Sequence, residues 1–290
     1  MKKILITGAA GYLGSNLVRS LTNLQDLLVF ATDISKDKIP CGANIKAMTN
    51  DELFQLETLA VDVIIHCAFA RGNDISGLVS ALYFNERLIE KLKNFQHDAI
   101  VNISSQGLYK PLSAGELARE DGVIEPFDMY ALAKFAQERL LTSNFGSEVT
   151  NIRMASLSAN ARFIVFFVDS VIRGNDITVS APNQYVSILD VRDAVSAIIK
   201  VAGLPKAKRK PVYNLGTGKQ YSILQIADLV NKIGGEKGYS PININVSDGG
   251  KSFAVGMDPA LLKRDTGWEA VVQIEEMIDN IFEQRKGEVL

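Results

Sequence analysis

The chain has 290 residues, which is enough for two domains of ordinary size or for one enlarged α/β unit. Hydrophobic residues make up 47% of it, which excludes a chain that is disordered over most of its length. Its 31 basic and 33 acidic residues leave a formal net charge of −2, so no global positive field favours a nucleic acid or an anionic membrane as partner.

Cysteine and histidine are scarce, and the full set is Cys41, Cys67, His66 and His97. This set is too small for a disulfide framework and matches no Cys/His metal site, so no metal is predicted. The first residues carry too short an apolar stretch for a signal peptide, and the longest apolar run, 163–168, is far too short to span a bilayer. We therefore expect a soluble, cytoplasmic protein.

Short hydrophobic runs alternate with longer amphipathic stretches through the first half of the chain. The runs that predict strands are 3–7, 27–32, 63–67 and 100–104. The stretches with helical spacing are 14–24, 75–93 and 129–142. This alternation predicts an α/β fold with a doubly wound parallel sheet of the Rossmann type.

The second half of the chain has a mixed pattern. Helical spacing is found over 163–173, 191–201, 223–233, 259–266 and 272–284, and short strands are predicted at 178–179 and 186–189. Asp258-Pro259 is typical of a helix start, with the carboxylate as N-cap and the proline in the first turn.

The first strand leads directly into a glycine-rich turn, Gly8-Ala9-Ala10-Gly11-Tyr12-Leu13-Gly14, and then into a helix. The first glycine permits a tight turn, the second lets the backbone approach a pyrophosphate, and the third lets the helix pack closely on the strand. The helix N-terminus adds free N–H groups and the positive end of its dipole. This context predicts a dinucleotide site formed by Gly8, Gly11, Tyr12, Leu13 and Gly14, and the alternative is a tight turn without ligand.

The second strand ends at Asp33, about 20 residues after the last glycine. A carboxylate at this position accepts hydrogen bonds from the adenosine ribose hydroxyls. Ile34, the next residue, is predicted to belong to the same cofactor site. The carboxylate would repel the 2′-phosphate of NADP, and no arginine lies beside it, although Lys36 is near. NAD is therefore predicted in preference to NADP.

Tyr130-Ala131-Leu132-Ala133-Lys134 is the only Tyr-x-x-x-Lys segment of the chain. On a helix, residues four apart share a face, so the phenol and the ammonium can point into one site. A nearby ammonium stabilises a phenolate, so such a tyrosine can take or give a hydroxyl proton while hydride moves to or from a nicotinamide. In front of this helix, the strand over 99–104 runs into Ser105-Gln106-Gly107-Leu108-Tyr109.

Together these motifs resemble the extended short-chain dehydrogenase/reductase superfamily, in particular its NAD-dependent nucleotide-sugar epimerase/dehydratase branch. The resemblance is carried by the G-x-x-G-x-x-G spacing, by the serine four residues before Tyr109 and by the Tyr-x-x-x-Lys pair. It implies that Ser105, Tyr130 and Lys134 are the catalytic residues, with Ser105 bound to the reacting oxygen. Further matching segments are 62–68, Asn85, Ile152-Arg153, Val191-Arg192-Asp193, 212–218 and Gly267-Trp268.

The resemblance also implies the remaining site residues and the domain plan. The implied cofactor contacts beyond the glycine turn and Asp33 are Ile34, Cys67, Ala68, Phe69, Asn85, Ser104, Tyr130, Lys134 and Met154. The implied substrate contacts are Ser105, Gln106 and Ser156, whereas His66 is implied to be a strand residue and not a base. Residues 1–155, completed by about 185–222, would form the NAD(P)-binding domain, and 156–184 with 223–290 a small interleaved C-terminal substrate-binding domain.

Two absences narrow the reaction that the resemblance implies. Gln106 and Gly107 stand where the 4,6-dehydratases of the family carry an Asp-Glu pair, and the cysteine and downstream histidine of the epimerase/reductases that make GDP-fucose are also missing. What remains is 4-epimerisation or 4-keto reduction of a nucleotide-linked sugar, with Tyr130 as general acid/base at C4.

Departures from the family pattern keep other interpretations open. Val186 stands where the family has an arginine for the nucleotide diphosphate, and Arg153-Met154-Ala155-Ser156 replaces an Arg-Pro-x-Asn run. A reductase of a small non-nucleotide keto or hydroxy substrate and a non-catalytic NAD(P)-sensing regulator are therefore alternatives. Because family members often dimerise through the helices that correspond to 75–93 and 129–142, the resemblance also implies a homodimer.

Overall fold

The computed structural model describes residues 1–69, 75–247 and 253–289. Its strands are β1 (Lys2–Thr7), β2 (Leu27–Asp33), β3 (Ile45–Thr49), β4 (Val63–His66), β5 (Ala99–Ser105), β6 (Val149–Met154), β7 (Ser156–Leu157), β8 (Ile177–Val179), β9 (Tyr185–Val186), β10 (Ile188–Leu189), β11 (Val212–Leu215), β12 (Tyr221–Ser222) and β13 (Ile244–Val246). Its helices are α1 (Tyr12–Leu21), α2 (Asn50–Gln55), α3 (Ile75–Leu92), α4 (Met129–Phe145), α5 (Arg162–Arg173), α6 (Val191–Gly203), α7 (Ile223–Glu236), α8 (Ala260–Thr266) and α9 (Ile274–Val289).

Seven of the strands form one sheet in the order β3-β2-β1-β4-β5-β6-β11, and all of its pairings are parallel. The chain begins at β1, moves outward to β3, and then returns to β4 on the other side of β1. This path is that of a doubly wound sheet, so the predicted Rossmann-type α/β fold is confirmed. The order reverses between β1 and β4, and sheets of this kind bind ligands there, at the carboxyl ends of the strands.

Both faces of the sheet are covered, which explains why most of its strands are continuous apolar runs. One face packs against α1 and α6, through residues such as Leu17 and Ala194. The other face packs against α3 and α4, through residues such as Leu88 and Leu141. The hydrophobic pattern predicts no strand at β3, which lies at the sheet edge with exposed residues in its middle.

A second hydrophobic core lies outside the sheet and is formed mainly by α5, α7 and α9, with buried residues from the ranges 161–188, 226–233 and 272–282. It supports the small domain predicted from the sequence, whose boundaries stay a prediction. Between the last two ranges, Met257, Leu262 and Trp268 pack into the core of the large sheet instead.

The start of α8 differs from its prediction by one residue. Pro259 is the N-cap residue and the helix begins at Ala260, so the expectation that Asp258 occupies the N-cap position is wrong. The Asp258 carboxylate nevertheless accepts a hydrogen bond from the Ala260 N–H at 2.9 Å. It therefore satisfies an open donor of the helix from one position further out.

Both cysteines are free thiols. Within the described ranges, no group of three or more His, Cys, Asp or Glu side chains is arranged to hold a metal ion. None of the helices in the same ranges combines the length and the apolar character that crossing a membrane requires.

Candidate active site

The glycine turn between β1 and α1 has room for backbone only. Gly8 has a φ of +70°, and a Cβ atom on it would lie 2.6 Å from the backbone nitrogen of Ala68. A Cβ on Gly14 would lie 2.0 Å from the Gly8 carbonyl oxygen. Gly11 is the N-cap residue of α1 and no side chain caps this helix, so its first N–H groups are open to an anion. The turn therefore fits the pyrophosphate of a dinucleotide.

The Asp33 carboxylate fixes this turn to the end of β2. Its Oδ2 accepts a hydrogen bond from the Ala10 N–H at 2.9 Å, and its Oδ1 accepts one from the Ile34 N–H at 2.7 Å. A carboxylate has about four acceptor positions, so Asp33 keeps capacity for ribose hydroxyls. The basic residue nearest in sequence, Lys36, pairs with Glu52 at 2.7 Å.

Cys67, Ala68 and Phe69 follow β4 directly, beside the glycine turn. The Cys67 N–H donates to the Thr7 carbonyl oxygen at 3.1 Å, and burial raises the pKa of the Cys67 thiol to about 12. A thiol with this pKa stays protonated at neutral pH and is not a nucleophile. Phe69 places its ring edge-on to the ring of Tyr130, with centroids 5.4 Å apart.

Ser104, Ser105 and Tyr130 line one cavity of about 600 Å³ at the carboxyl end of the sheet. The other residues that line it are Asp128, Met154, Ala155, Ser156, Leu157, Asn160 and Arg162. Ser105 Oγ accepts a hydrogen bond from the Gly107 N–H at 3.1 Å, which fixes the side chain while its own hydrogen can still be donated. The buried Ser104 hydroxyl has no hydrogen-bond partner among the described residues.

Helix α4 brings the tyrosine and the lysine to this edge of the sheet. Asp128 caps the helix by accepting from the Ala131 N–H at 2.7 Å, so Tyr130 lies in the first turn and Lys134 one turn later. Lys134 is only 3% exposed, and its ammonium donates to the Ile103 carbonyl oxygen at 2.8 Å. The same ammonium lies 4.0 Å from the centroid of the Phe69 ring, so this ring contacts both members of the predicted pair.

Asn85 and His66 lie behind Lys134, in the interior. His66 Nδ1 lies 2.6 Å from Thr7 Oγ1, and its Nε2 lies 2.9 Å from Asn85 Oδ1. Burial lowers the pKa of His66 to about 4, so the ring is neutral near pH 7. Asn85 also donates to the Ala81 carbonyl oxygen at 2.7 Å and does not line the cavity, although the resemblance implies a cofactor contact for it.

Two of the three predicted substrate residues, Ser105 and Ser156, line the cavity, and the third, Gln106, does not. Ser156 and Met154 line the cavity, whereas Gln106 lies behind Ser156 and donates to its Oγ at 3.2 Å. Val186 in β9 packs against the second core.

Sequence reasoning missed Arg162, the first residue of α5, which lines the cavity. No described carboxylate pairs with this guanidinium. No motif in the sequence singles out this arginine.

A doubly wound sheet with a glycine turn after its central strand and with Ser105, Tyr130 and Lys134 at its carboxyl edge defines the class of extended short-chain dehydrogenases/reductases. The sequence model of the NAD dependent epimerase/dehydratase family matches residues 4–216. This match covers well over half of the chain, so the chain belongs to the NAD dependent epimerase/dehydratase family.

Curated relatives and solved structures agree with this assignment. The chain is 24% identical to the UDP-glucose 4-epimerase of Bacillus subtilis over an aligned length of 325, and the alignment covers 94% of each protein. It is 25% identical over 264 residues to a dTDP-4-dehydro-6-deoxy-D-allose reductase of a Streptomyces species, covering 79% of this chain and 80% of that protein. Its fold matches the UDP-glucuronic acid 4-epimerase of Bacillus cereus, solved with UDP-glucuronic acid and NAD, with a TM-score of 0.82, 19% identity and 99% coverage of both chains. It also matches the UDP-glucose 4-epimerase of Thermotoga maritima, solved with UDP-glucose, with a TM-score of 0.79, 20% identity and coverage of 99% and 100%.

Proposed function

We propose that this chain is an NAD-dependent enzyme that acts at C4 of a nucleotide-linked sugar, as a 4-epimerase or as a 4-keto reductase. The observation that carries the proposal is the cavity that Ser105 and Tyr130 share. The Lys134 ammonium is buried against the same aromatic ring that Tyr130 contacts. This arrangement provides a hydrogen-bond donor, a proton carrier and a fixed positive charge within one site.

NAD is the proposed cofactor, and it supplies a hydride acceptor and donor when bound. The glycine turn and the open N-terminus of α1 would hold its pyrophosphate, and Asp33 its adenosine ribose. Lys36, the basic residue nearest to Asp33 in sequence, is held by Glu52 rather than directed at Asp33, so it does not offset the repulsion between Asp33 and a 2′-phosphate. NAD is therefore favoured over NADP.

The chain's own residues would handle the proton and the orientation of the substrate. The Ser105 hydroxyl would donate a hydrogen bond to the reacting oxygen and hold it next to Tyr130. Tyr130 would remove the proton of a C4 hydroxyl, or deliver a proton to a C4 carbonyl oxygen. The Lys134 charge would stabilise the phenolate form of Tyr130 between these steps.

Arg162 supports a substrate with a negative charge. The family's arginine is replaced at Val186, and Arg162 brings a guanidinium to the cavity from a different element. A guanidinium binds phosphate oxygens through paired hydrogen bonds, so Arg162 would take over the contact to a nucleotide diphosphate. Relatives whose names specify UDP- or dTDP-linked sugars are consistent with this proposal.

Two alternatives remain open to the same tests. A small uncharged keto or hydroxy substrate would need no cation in the cavity, so the presence of Arg162 there favours the larger, negatively charged nucleotide sugar. A non-catalytic NAD(P)-sensing regulator would need neither a tyrosine at the cavity nor a buried lysine one helical turn after it, and this chain has both.

We also propose a cytoplasmic homodimer. Helices α3 and α4 carry large exposed hydrophobic side chains, which are Ile75, Val79, Tyr83, Met129, Leu132 and Leu140. A second copy of the chain could cover them, and light scattering after size exclusion would give the mass of the particle in solution.

Mass spectrometry of the gently purified protein, followed by a screen against nucleotide sugars, tests the proposed function. Retained NAD and conversion of a UDP- or dTDP-linked sugar without net redox change would establish a 4-epimerase. Consumption of reduced cofactor with a nucleotide-linked 4-keto sugar would establish a reductase. If no nucleotide sugar reacts, the proposed substrate class is wrong.

A further inference from the structure

Lys134 is held by uncharged groups on the side facing the interior. Its ammonium donates to the Ile103 carbonyl oxygen at 2.8 Å and to Gln137 Oε1 at 3.1 Å. Gln137 is fully buried and lies three residues further along α4, so its amide reaches back to the lysine from the next turn. Sequence reasoning gave Gln137 no role.

The amide of Gln137 has only one compatible orientation. Its Nε2 lies 2.7 Å from His66 Nε2 and donates to Asn85 Oδ1 at 3.0 Å. If the amide were turned over, its NH2 group would face the Lys134 ammonium, and two donors would meet. The buried His66 ring lies between β1 and α4, with Nδ1 2.6 Å from Thr7 Oγ1 and Nε2 within 2.9 Å of both the Gln137 and the Asn85 side chains. A continuous series of side-chain contacts thus links Thr7 of β1 to Lys134 of α4 through His66 and Gln137.

Two titratable groups at the end of β4 that interact with this ammonium are uncharged at neutral pH. His66 is neutral because burial lowers its pKa to about 4, and Cys67 is neutral because burial raises its pKa to about 12. The carboxylate nearest in sequence, Glu138, is directed to the other side of α4, where it pairs with Arg153. A carboxylate at position 137 would hold the ammonium equally well but would offset the field that reaches Tyr130.

We infer that Gln137 is a positioning residue of the Tyr130–Lys134 pair: its neutral amide, fixed by His66 and Asn85, holds the ammonium in place without cancelling its charge. The inference rests on the proposed roles of Tyr130 and Lys134. It predicts that Tyr130 ionises at a lower pH in the native chain than in a chain in which residue 137 is apolar or acidic.

The test is a spectroscopic titration of Tyr130 in the full-length protein. Tyrosinate absorbs in the near ultraviolet, and subtraction of the same titration of a Tyr130→Phe protein isolates this one side chain. Gln137→Leu removes the side-chain acceptor and leaves the Ile103 carbonyl oxygen in place, and Gln137→Glu keeps a side-chain acceptor but adds a charge. Both variants are expected to raise the titration midpoint of Tyr130, by roughly one pH unit. Each needs its own Tyr130→Phe reference.

Asn151→Leu is the matched control, because Asn151 is a buried amide that accepts from Asn102 Nδ2 at 2.8 Å and does not touch Lys134. It is expected to lower stability and to leave the Tyr130 midpoint unchanged. Unchanged Tyr130 midpoints in both Gln137 variants would overturn the inference. If Gln137→Leu does not fold, the midpoint of Gln137→Glu alone decides whether the inference holds. The titration uses neither cofactor nor substrate, so it fails or succeeds independently of the proposed reaction.

Discussion

Arg153 and Glu138 form a two-point ion pair inside the protein, with Arg153 Nε 3.1 Å from Glu138 Oε1 and Nη2 2.9 Å from Oε2. The remaining Nη1 donates to the Tyr109 hydroxyl at 3.0 Å, which in turn donates to Asn214 Oδ1 at 2.7 Å. These contacts join α4 to β6, to the segment after β5 and to β11. The pair therefore fixes the helix that carries Tyr130 and Lys134 against the carboxyl edge of the sheet.

Glu138→Ala is expected to lower the free energy of unfolding by about 3–5 kcal/mol, because it leaves the Arg153 guanidinium buried without its counter-charge. The two side chains are only 7% and 5% exposed, so water cannot replace the lost partner. Urea unfolding followed by circular dichroism measures the change. Glu236→Ala is the control, since its pair with Lys232 is 63% and 71% exposed and its loss should change stability by less than about 1 kcal/mol. Equal losses in the two variants would contradict the structural role of the pair.

Gly14→Ala is expected to abolish binding of NAD, because the added Cβ would lie 2.0 Å from the Gly8 carbonyl oxygen and push the glycine turn apart. Isothermal titration with NAD measures the effect. Gly235→Ala adds the same methyl group within α7, where no atom beyond the neighbouring residues and the helix's own backbone lies within 4 Å of the new Cβ, and is expected to leave NAD binding unchanged. It should also stabilise the helix by roughly 0.5–1 kcal/mol. If Gly14→Ala binds NAD normally, the turn is not the pyrophosphate site.

Tyr130→Phe is expected to lower turnover of an active nucleotide sugar by roughly 10²–10⁴-fold, because the proton carrier is lost while the ring and its contact with Phe69 remain. Binding of NAD should stay within about threefold of the wild-type value, which separates loss of chemistry from loss of the site. Steady-state kinetics and titration with NAD give the two quantities. Undiminished turnover would remove Tyr130 from the proposed mechanism.

Arg162→Gln is expected to weaken binding of free UDP about tenfold, because it removes the cation that the cavity offers to a diphosphate. Calorimetry with UDP as the probe measures the change, and the affinity of the wild-type protein should fall as salt is raised. Arg173→Gln removes the same charge from the far end of α5 and serves as control. If both variants bind UDP alike, another part of the chain holds the anion.

His66 should make stability depend on pH. Its pKa is about 4 in the folded protein, where burial disfavours the charged ring, against 6.5 for an unperturbed histidine. Between these values the unfolded chain binds more protons, so the contribution is complete above about pH 6.5 and is lost as the pH falls toward 4. The full loss amounts to about 3 kcal/mol, and about 2 kcal/mol of it occurs by pH 5.

Urea unfolding of wild type and of His66→Gln at pH 7 and pH 5 isolates this contribution, since the carboxylates affect both proteins alike. Wild type should lose more stability than the variant between the two conditions. Identical losses would show that the His66 ring is not the group that is kept neutral by burial.

Features with a local cause could be predicted from the sequence. The strand, glycine turn and helix at the N-terminus and the Tyr130–Lys134 spacing are local patterns, and the alternation of buried strands with helices predicted the sheet. Helix α2 was not predicted, although the capping box between Thr49 and Glu52 at its N-terminus is a local pattern that the sequence contains.

Features that depend on packing between distant segments could not be predicted. Arg162 reaches the cavity only because of the path of the chain after β7. The Gln137 amide is oriented towards Lys134 only because β4 and α3 bring His66 and Asn85 next to it. The position of Asn85 behind Lys134, away from the cavity, is equally a product of this packing.

Along the second half of the chain, segments that belong to the small core alternate with segments that belong to the large core. The small core uses residues from 161–188, 226–233 and 272–282, and the large core uses residues from 189–215 and 257–268. A chimaera that borrows the small core of a relative must therefore exchange three separate segments together. A single crossover anywhere between residues 161 and 268 would leave both cores with mismatched surfaces. Changes of substrate in such a chain are thus expected to proceed by replacement of single cavity residues, as at position 162, rather than by exchange of a contiguous module.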